Sequence, residues 1–359
     1  MNPDIKVSVL IPCYNVSEYV YDALYTISNQ TYKNLEIILI NDGSTDDTLE
    51  KLNIIAKADS RVILLNNEKN IGLIKTLNKG ISICTGQYIE RFDADDLIGL
   101  DRIEKQIEIV KNNPSIELVT SFATYITPSG KFHSQVESFY CNSLHSATFL
   151  CLFECPLVHP GMFIKSSLLN EYMFSDNEVY SHIEDYDLFS RLLSNKVNLF
   201  INTENSQRNL YRRNPTSVSN RNRNLQNENA ISKSKENLKS IMNYSIDDTI
   251  LRAIILKTET NWTPEIIKNA SMELVKIRAK YFEQNKEFIS KEDKKIITEW
   301  TQLRLLKIIS TTIFKGNISS KMTALKILLL NINMFFSIKI MQNIFNRFVW
   351  TFNKIRYNN

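Results

Sequence analysis

The sequence predicts an α/β protein: a mostly parallel sheet flanked by helices over residues 1–220, followed by a C-terminal helical region. Three observations carry this. Short apolar runs alternate with segments of helical spacing from residue 7 to 121, the pattern of βαβ units. The runs are continuous rather than alternating, as in strands buried on both faces. Beyond residue 230 the strand-like runs stop and only helical periodicity remains.

The elements follow in order. Residues 7–11 (VSVLI) form the first run, ended by Pro12, and 18–30 have helical spacing. The run 35–40 (LEIILI) leads into the turn Asn41-Asp42-Gly43-Ser44. A helix is expected over 45–58, with Asp46 and Asp47 in its first turn, where carboxylates suit the helix dipole. A run at 62–65, a helix at 73–83, a run at 87–92, a helix at 100–112 and a strand at 117–121 complete the pattern. From 121 to 211 the pattern loosens, with all four histidines, and reads as a loop-rich specificity region. Residues 206–229 are polar, rich in Asn and Arg and aperiodic, a linker candidate. Helices are expected near 230–243, 247–258, 263–285 and 290–313.

The 359 residues suggest two domains, or one with an appendage, at about 150 residues per domain. With 43% hydrophobic and 23% charged residues the chain can build a core, which excludes wholesale disorder. The net charge of +4 hides an asymmetry: residues 300–359 hold nine Lys or Arg and no acid, so the preceding body is mildly acidic. Five scattered cysteines without a CxxC pair indicate neither a disulfide framework nor a zinc ribbon. The opening MNPDIKVSVLIP does not read as a signal peptide, and the apolar stretch 327–338 is shorter than the ~20 residues that cross a bilayer.

In an open parallel sheet, ligands bind beyond the carboxyl ends of the strands. Pro12, Tyr14 and Asn15 follow the first run, Asp42 follows the second, and Arg91-Phe92-Asp93-Ala94-Asp95-Asp96 closes the fourth. Three carboxylates in four residues repel unless a cation neutralises them, and such oxygen-rich sites suit Mg²⁺ or Mn²⁺ bridging to phosphates. The plainer reading is that Asp95 or Asp96 caps the next helix. No GxGxxG or GxxxxGK[ST] loop is present to carry phosphates instead. A second acidic group, Glu184-Asp185-Tyr186-Asp187, reads either as a solvated helix start or as the source of a general base. His159-Pro160-Gly161 is either a turn with a structural His or part of an acceptor pocket.

In order and spacing, VSVLIPCYN, LEIILINDGSTDDT, NIGLIKTLNKGISICTGQYIERFDADD, LVHPGMFIKSS and EDYDLFSRL resemble the inverting family 2 glycosyltransferases of the GT-A (Rossmann-like) fold, across about residues 5–220. The resemblance implies roles. Pro12 and Tyr14 would border the nucleobase, Asp42 would bond it, and Asn15, Asn70, Arg91 and Ala94 would belong to the nucleotide-sugar site. Asp95 would be the main ligand of Mn²⁺ or Mg²⁺, with Asp93 toward the ribose and diphosphate. Asp185 would be the catalytic base beside Glu184, and His159 and Gly161 would lie on the acceptor side. Tyr211-Arg212-Arg213, before Ser217-Val218-Ser219, resembles a loop that closes over the diphosphate, where Arg212 or Arg213 would add charge-assisted contacts. Asn41 stands where many relatives carry Asp, and Asn214 where a His is common.

The expected activity is metal-dependent transfer of a hexose or N-acetylhexosamine from a UDP-sugar to a saccharide or lipid-linked acceptor, in surface polysaccharide or lipopolysaccharide synthesis. The expected domains are 1–220 for transfer, a helical region at 221–299 and a basic, aromatic-rich tail at 300–359. The tail's cations, with Phe335, Phe336, Phe345, Phe348, Trp350 and Phe352, suit an anionic membrane surface. That places the protein in the cytoplasm, on the inner face of the cytoplasmic membrane. The alternatives are a helical layer packed on the domain or a homo-oligomer interface. A degenerate transferase that binds nucleic acid or a partner through this tail is the competing class, but the recurring acid clusters speak against it, and no nucleic-acid partner is expected.

Overall fold

The computed structural model describes residues 5–135, 141–202, 209–213, 222–256, 262–315 and 318–330. The chain divides into two compact units, residues 1–233 and 234–359.

The expected runs become β1 (Val7–Cys13), β2 (Leu35–Asn41), β3 (Val62–Asn66), β4 (Tyr88–Arg91) and β5 (Leu118–Ser121). Between them lie α1 (Val20–Ser28), α2 (Thr48–Ala58), α3 (Leu73–Ile81) and α4 (Arg102–Asn112). Every residue of β2 is buried, which is why LEIILI carries no polar alternation. β1 does not stop at Pro12: Pro12 pairs with Ile40 and Cys13 with Asn41. Pairing to β4 ends at Leu10↔Arg91, so the missing proton of Pro12 falls where β1 has outrun that neighbour.

The described residues between 121 and 211 hold more regular structure than their loop-like sequence suggests. They form β6 (Ala123–Ile126), β7 (Phe132–Gln135), α5 (Leu144–Leu150), β8 (Met162–Lys165), α6 (Ser166–Tyr172), α7 (Glu184–Ser194), β9 (Leu199–Asn202) and β10 (Asn209–Arg212). Among the described residues the main sheet has seven strands in the order β3-β2-β1-β4-β8-β5-β9. All neighbours are parallel except β8, which runs antiparallel between β4 and β5. β10, β6 and β7 make a smaller sheet. The chain builds β2 and β3 to one side of β1 and then crosses to β4 on the other, so the β1/β4 boundary is a topological switch point.

Of the linker expected at 206–229, the described residues 209–212 and 223–229 belong to regular elements. β10 pairs in parallel with β6, and α8 (Arg223–Met242) begins inside that stretch. Its polar side chains bond specific partners, which an aperiodic polar composition conceals.

The second unit is helical: α9 (Asp248–Ile255), α10 (Pro264–Gln284), α11 (Lys291–Lys315) and α12 (Ile318–Leu330). Asp247 caps α9 through the amides of Thr249 and Ile250 (2.9 and 3.2 Å), and Thr263 with Pro264 starts α10. The first part of the basic tail belongs to this unit's core. Trp300, Leu305, Ile308 and Ile309 are buried on α11, and Arg304 is itself buried, 4.8 Å from the Trp300 ring. The tail aromatics from Phe335 to Phe352 lie outside the described residues. No described helix is long and apolar enough to cross a membrane.

Candidate active site

The carboxyl ends of β1, β2 and β4 bring the first group of predicted residues to one edge. Tyr14 is 44% exposed there. Asn15, at φ +50, ties β1 to the turn after β2: its Oδ1 accepts from the Thr45 amide at 2.8 Å and its amide donates to Ser44 Oγ at 3.1 Å. Asp42 is buried. Its Oδ1 accepts from Asn67 Nδ2 (2.9 Å) and the Ile71 amide (2.9 Å), and its Oδ2 from the Gly72 amide (3.0 Å). A carboxylate offers about four acceptor positions, so one on Oδ2 remains for a ligand. Asn70 is exposed and bonds Gly72 in the same loop. Gly43, at φ +66, fits here only because it lacks a Cβ, which would lie 2.4 Å from the Asn70 nitrogen.

The acids after β4 do not cap α4. Its N-cap is Asp101, and Asp96 instead accepts from the Arg212 amide at 2.8 Å. The Arg212 guanidinium donates to the Asp95 carbonyl (2.7 Å) and to the Pro128 carbonyl, and stacks on Tyr19. Arg212 therefore fastens β10 to the acidic loop, while the adjacent Arg213 is exposed over Tyr125. Ala94 is buried between the two acids. Asn214 and Ser217-Val218-Ser219 lie outside the described residues.

Arg91 organises the site. It is buried at the end of β4 and pairs with Asp93 at 2.5 Å. Burial alone would lower its proton affinity, but Asp93, Glu184 and Asp96 outweigh that and hold it charged. The first turn of α7 thus faces the same guanidinium as the acids after β4. Burial, then the charge of Asp93, pushes Asp95 up to about 6. Burial, then the charge of Asp185, pushes Glu184 up to about 7. Burial also raises Asp185, opposed by the Tyr186 amide and by Arg91.

The third acid of EDYD has a different fate. Asp187 is buried between Arg191 (2.8 Å) and Lys233 (2.9 Å) and takes no part in the site. His159 is buried against Phe174 (ring centroids 5.2 Å apart); burial, then Arg91, lowers its proton affinity well below the usual range and keeps it neutral. Gly161, at φ +79, serves the scaffold: its amide donates to the Arg91 carbonyl (2.7 Å) and its carbonyl accepts from Arg102 Nη2 (2.7 Å).

Sequence reasoning passed over two features. Beneath Arg91, Glu90 and Arg102 form a fully buried ion pair at 3.1 Å, which Gln106 supports. Cys155 lies close enough to Asp185 for that carboxylate's charge to raise its thiol further, after burial. A charged pair inside a run such as YIERF is the one signal that marks the first. Nothing local marks the second. All five cysteines are free thiols.

Asp93 and Asp95 fit a hard divalent cation, because the charge of Asp93 opposes ionisation of Asp95 and a bound cation would offset it. Among the described residues no group of three or more His, Cys, Asp or Glu makes a closed ligand set. A cation held by one or two carboxylates completes its shell with water and substrate phosphates, the habit of Mg²⁺.

Residues 8–172 match the family model described as glycosyl transferase family 2. A protein of Haemophilus influenzae described as an uncharacterized glycosyltransferase is 35% identical over 192 residues, 52% of this chain and 59% of its own length. Glycosyltransferase GlyG of Streptococcus pneumoniae is 34% identical over 130 residues, 36% of this chain and 43% of its own. The chain thus spans about half the length of these curated relatives. Among solved structures, S. aureus TarS 1–349 in complex with UDP-GlcNAc aligns with TM-score 0.53 at 14% identity, over 86% of this chain and 84% of that one. Its complex with UDP gives 0.51 at 17% identity, over 86% and 81%. At such identity the likeness is one of fold, and it bears out the expected GT-A architecture.

Proposed function

We propose that this chain, whose residues 8–172 match the glycosyl transferase family 2 model, is an inverting, metal-dependent hexosyltransferase using a UDP-sugar. The observation that carries it is the buried Arg91, which pairs with Asp93 and whose charge is also felt by Glu184 and Asp185. A leaving-group site and a base thereby share one edge of the sheet. The TarS complexes with UDP and UDP-GlcNAc favour a uridine donor.

The remaining acceptor position on Asp42 takes a nucleobase N–H, with Pro12 and Tyr14 beside the ring. Asp93 and Asp95 would hold Mn²⁺ or Mg²⁺, which would supply positive charge against the departing diphosphate. Arg213, exposed over Tyr125, adds a guanidinium at the same place. Asp185 takes the proton of the acceptor hydroxyl as its oxygen attacks the anomeric carbon, and UDP leaves from the opposite face. An α-linked donor then yields a β-glycoside. The raised affinities of Glu184 and Asp185 bring the base toward working pH, where proton transfer is most effective. His159, neutral, lines the acceptor side.

The acceptor is a saccharide or a lipid-linked sugar of surface polysaccharide or lipopolysaccharide synthesis. The basic tail favours a lipid-linked one, presented at the inner face of the cytoplasmic membrane. A screen of UDP release from UDP-glucose, UDP-galactose and their N-acetyl forms with Mn²⁺ tests the reading. One of them is turned over, and Asp95→Ala or excess chelator stops it. Undiminished turnover in chelator contradicts the metal role.

A further inference from the structure

The start of α7 is not secured by its own sequence. Its N-cap is Ile183, which offers no capping side chain. The preceding His182 sits at φ +64, a left-handed conformation that is unfavourable for a non-glycine residue and persists only where neighbours impose it. Yet this turn carries Glu184 and Asp185, both of which feel the charge of Arg91.

The restraint comes from α8. Gln226 Nε2 donates to the His182 carbonyl at 3.0 Å, and Asn229 Nδ2 donates to the Ser181 carbonyl at 2.8 Å. Lys233 reaches Asp187 at 2.9 Å and lies 4.8 Å from the centre of the Tyr180 ring. Positions 226, 229 and 233 recur on one helical face, so a single surface of α8 meets the segment 180–187 on both sides of the base. Lys233 and Asp187 are both buried, which gives this contact a fixed geometry.

We propose that Gln226 and Asn229 are positioning residues for Asp185: they hold the left-handed turn at His182 that points the first turn of α7 into the site. This rests on Asp185 being the base. Neither residue touches substrate, and both lie beyond the stretch 8–172 that the family model matches. A base displaced by about 1 Å loses on the order of a hundredfold in rate, so the brace acts on turnover rather than on donor affinity.

The test is the double variant Q226A/N229A, which keeps α8 helical because alanine is the best helix former. Hydrogen exchange at the amides of 183–187 needs no donor: these exchange faster in the variant than in the wild type, while β1 and β2 amides do not. On the UDP-sugar that the wild type turns over fastest, kcat falls about 10- to 100-fold, with KM and UDP affinity unchanged. In an Asp185→Asn background the same pair of substitutions costs nothing more, since residues acting as a unit are not additive. Unchanged exchange at 183–187, unchanged kcat, a loss of UDP affinity equal to the loss of rate, or full additivity with Asp185→Asn each overturns the brace. If Asp185→Asn itself keeps turnover, the base assignment fails instead, and the exchange result still reports on the turn.

Discussion

Glu184 places stability and function in opposition. Its folded affinity is raised from 4.5 to about 7, so the fold prefers its neutral form. The stabilisation that comes with the proton is complete below the unfolded value and is lost as pH rises through 7. Glu184→Gln therefore raises Tm at about pH 8, and the gain closes below about pH 4.5, where both forms are neutral. A thermal-shift series across that range checks the sign; a variant less stable at the alkaline end contradicts it. Gly161 makes the converse point. A Cβ there would sit 2.2 Å from Arg102 Nη2 and 2.5 Å from Asn209 Oδ1, at φ +79. Gly161→Ala loses more than about 2 kcal/mol by denaturant titration and weakens turnover, because the Gly161 amide also holds the Arg91 carbonyl.

The legibility of each element followed its burial. β1 and β2 were plain in the sequence because sheet neighbours on both sides favour a continuous apolar run, and β4 because the acids of the DADD segment directly follow it. β8 (MFIK) and β10 (NLYR) were not, because four residues set no period and β10 is half polar. The start of α8 was hidden for a different reason: Gln226, Asn229 and Lys233 are polar because they bond the segment before α7, and pairing between distant segments leaves no local mark. The site divides the same way. Its acids could be named from spacing, but that Asp187 pairs with Lys233 while Glu184 and Asp185 face Arg91 is decided by the turn at His182. A β-branched residue suits that turn worst. His182→Val lowers stability by about 1–2 kcal/mol and turnover with it, whereas His182→Asn, better suited to positive φ, keeps both; equal behaviour of the two would show that φ at this position is unimportant.

At the scale of the whole molecule, the division of charge that the sequence displayed needs a new boundary. A cut at residue 299 would sever α11 and remove the buried Trp300, so it cannot separate membrane binding from folding. A cut after residue 330 removes Lys339, Arg347, Lys354 and Arg356 and the tail aromatics, and leaves every described helix whole. With anionic vesicles, the full chain co-sediments and the shortened one loses most of its binding, at about 1 kcal/mol per cation; equal sedimentation removes the membrane role. In the proposed function one carboxylate, Asp185, joins the two acidic groups into a site for glycosyl transfer. Its most direct test is Asp185→Asn, which alters neither shape nor the nucleotide's contacts. Transfer measured with the accepted UDP-sugar should fall by about 10²–10⁴-fold while UDP binding, followed by calorimetry, stays as in the wild type. Near-normal turnover in that variant would contradict the account.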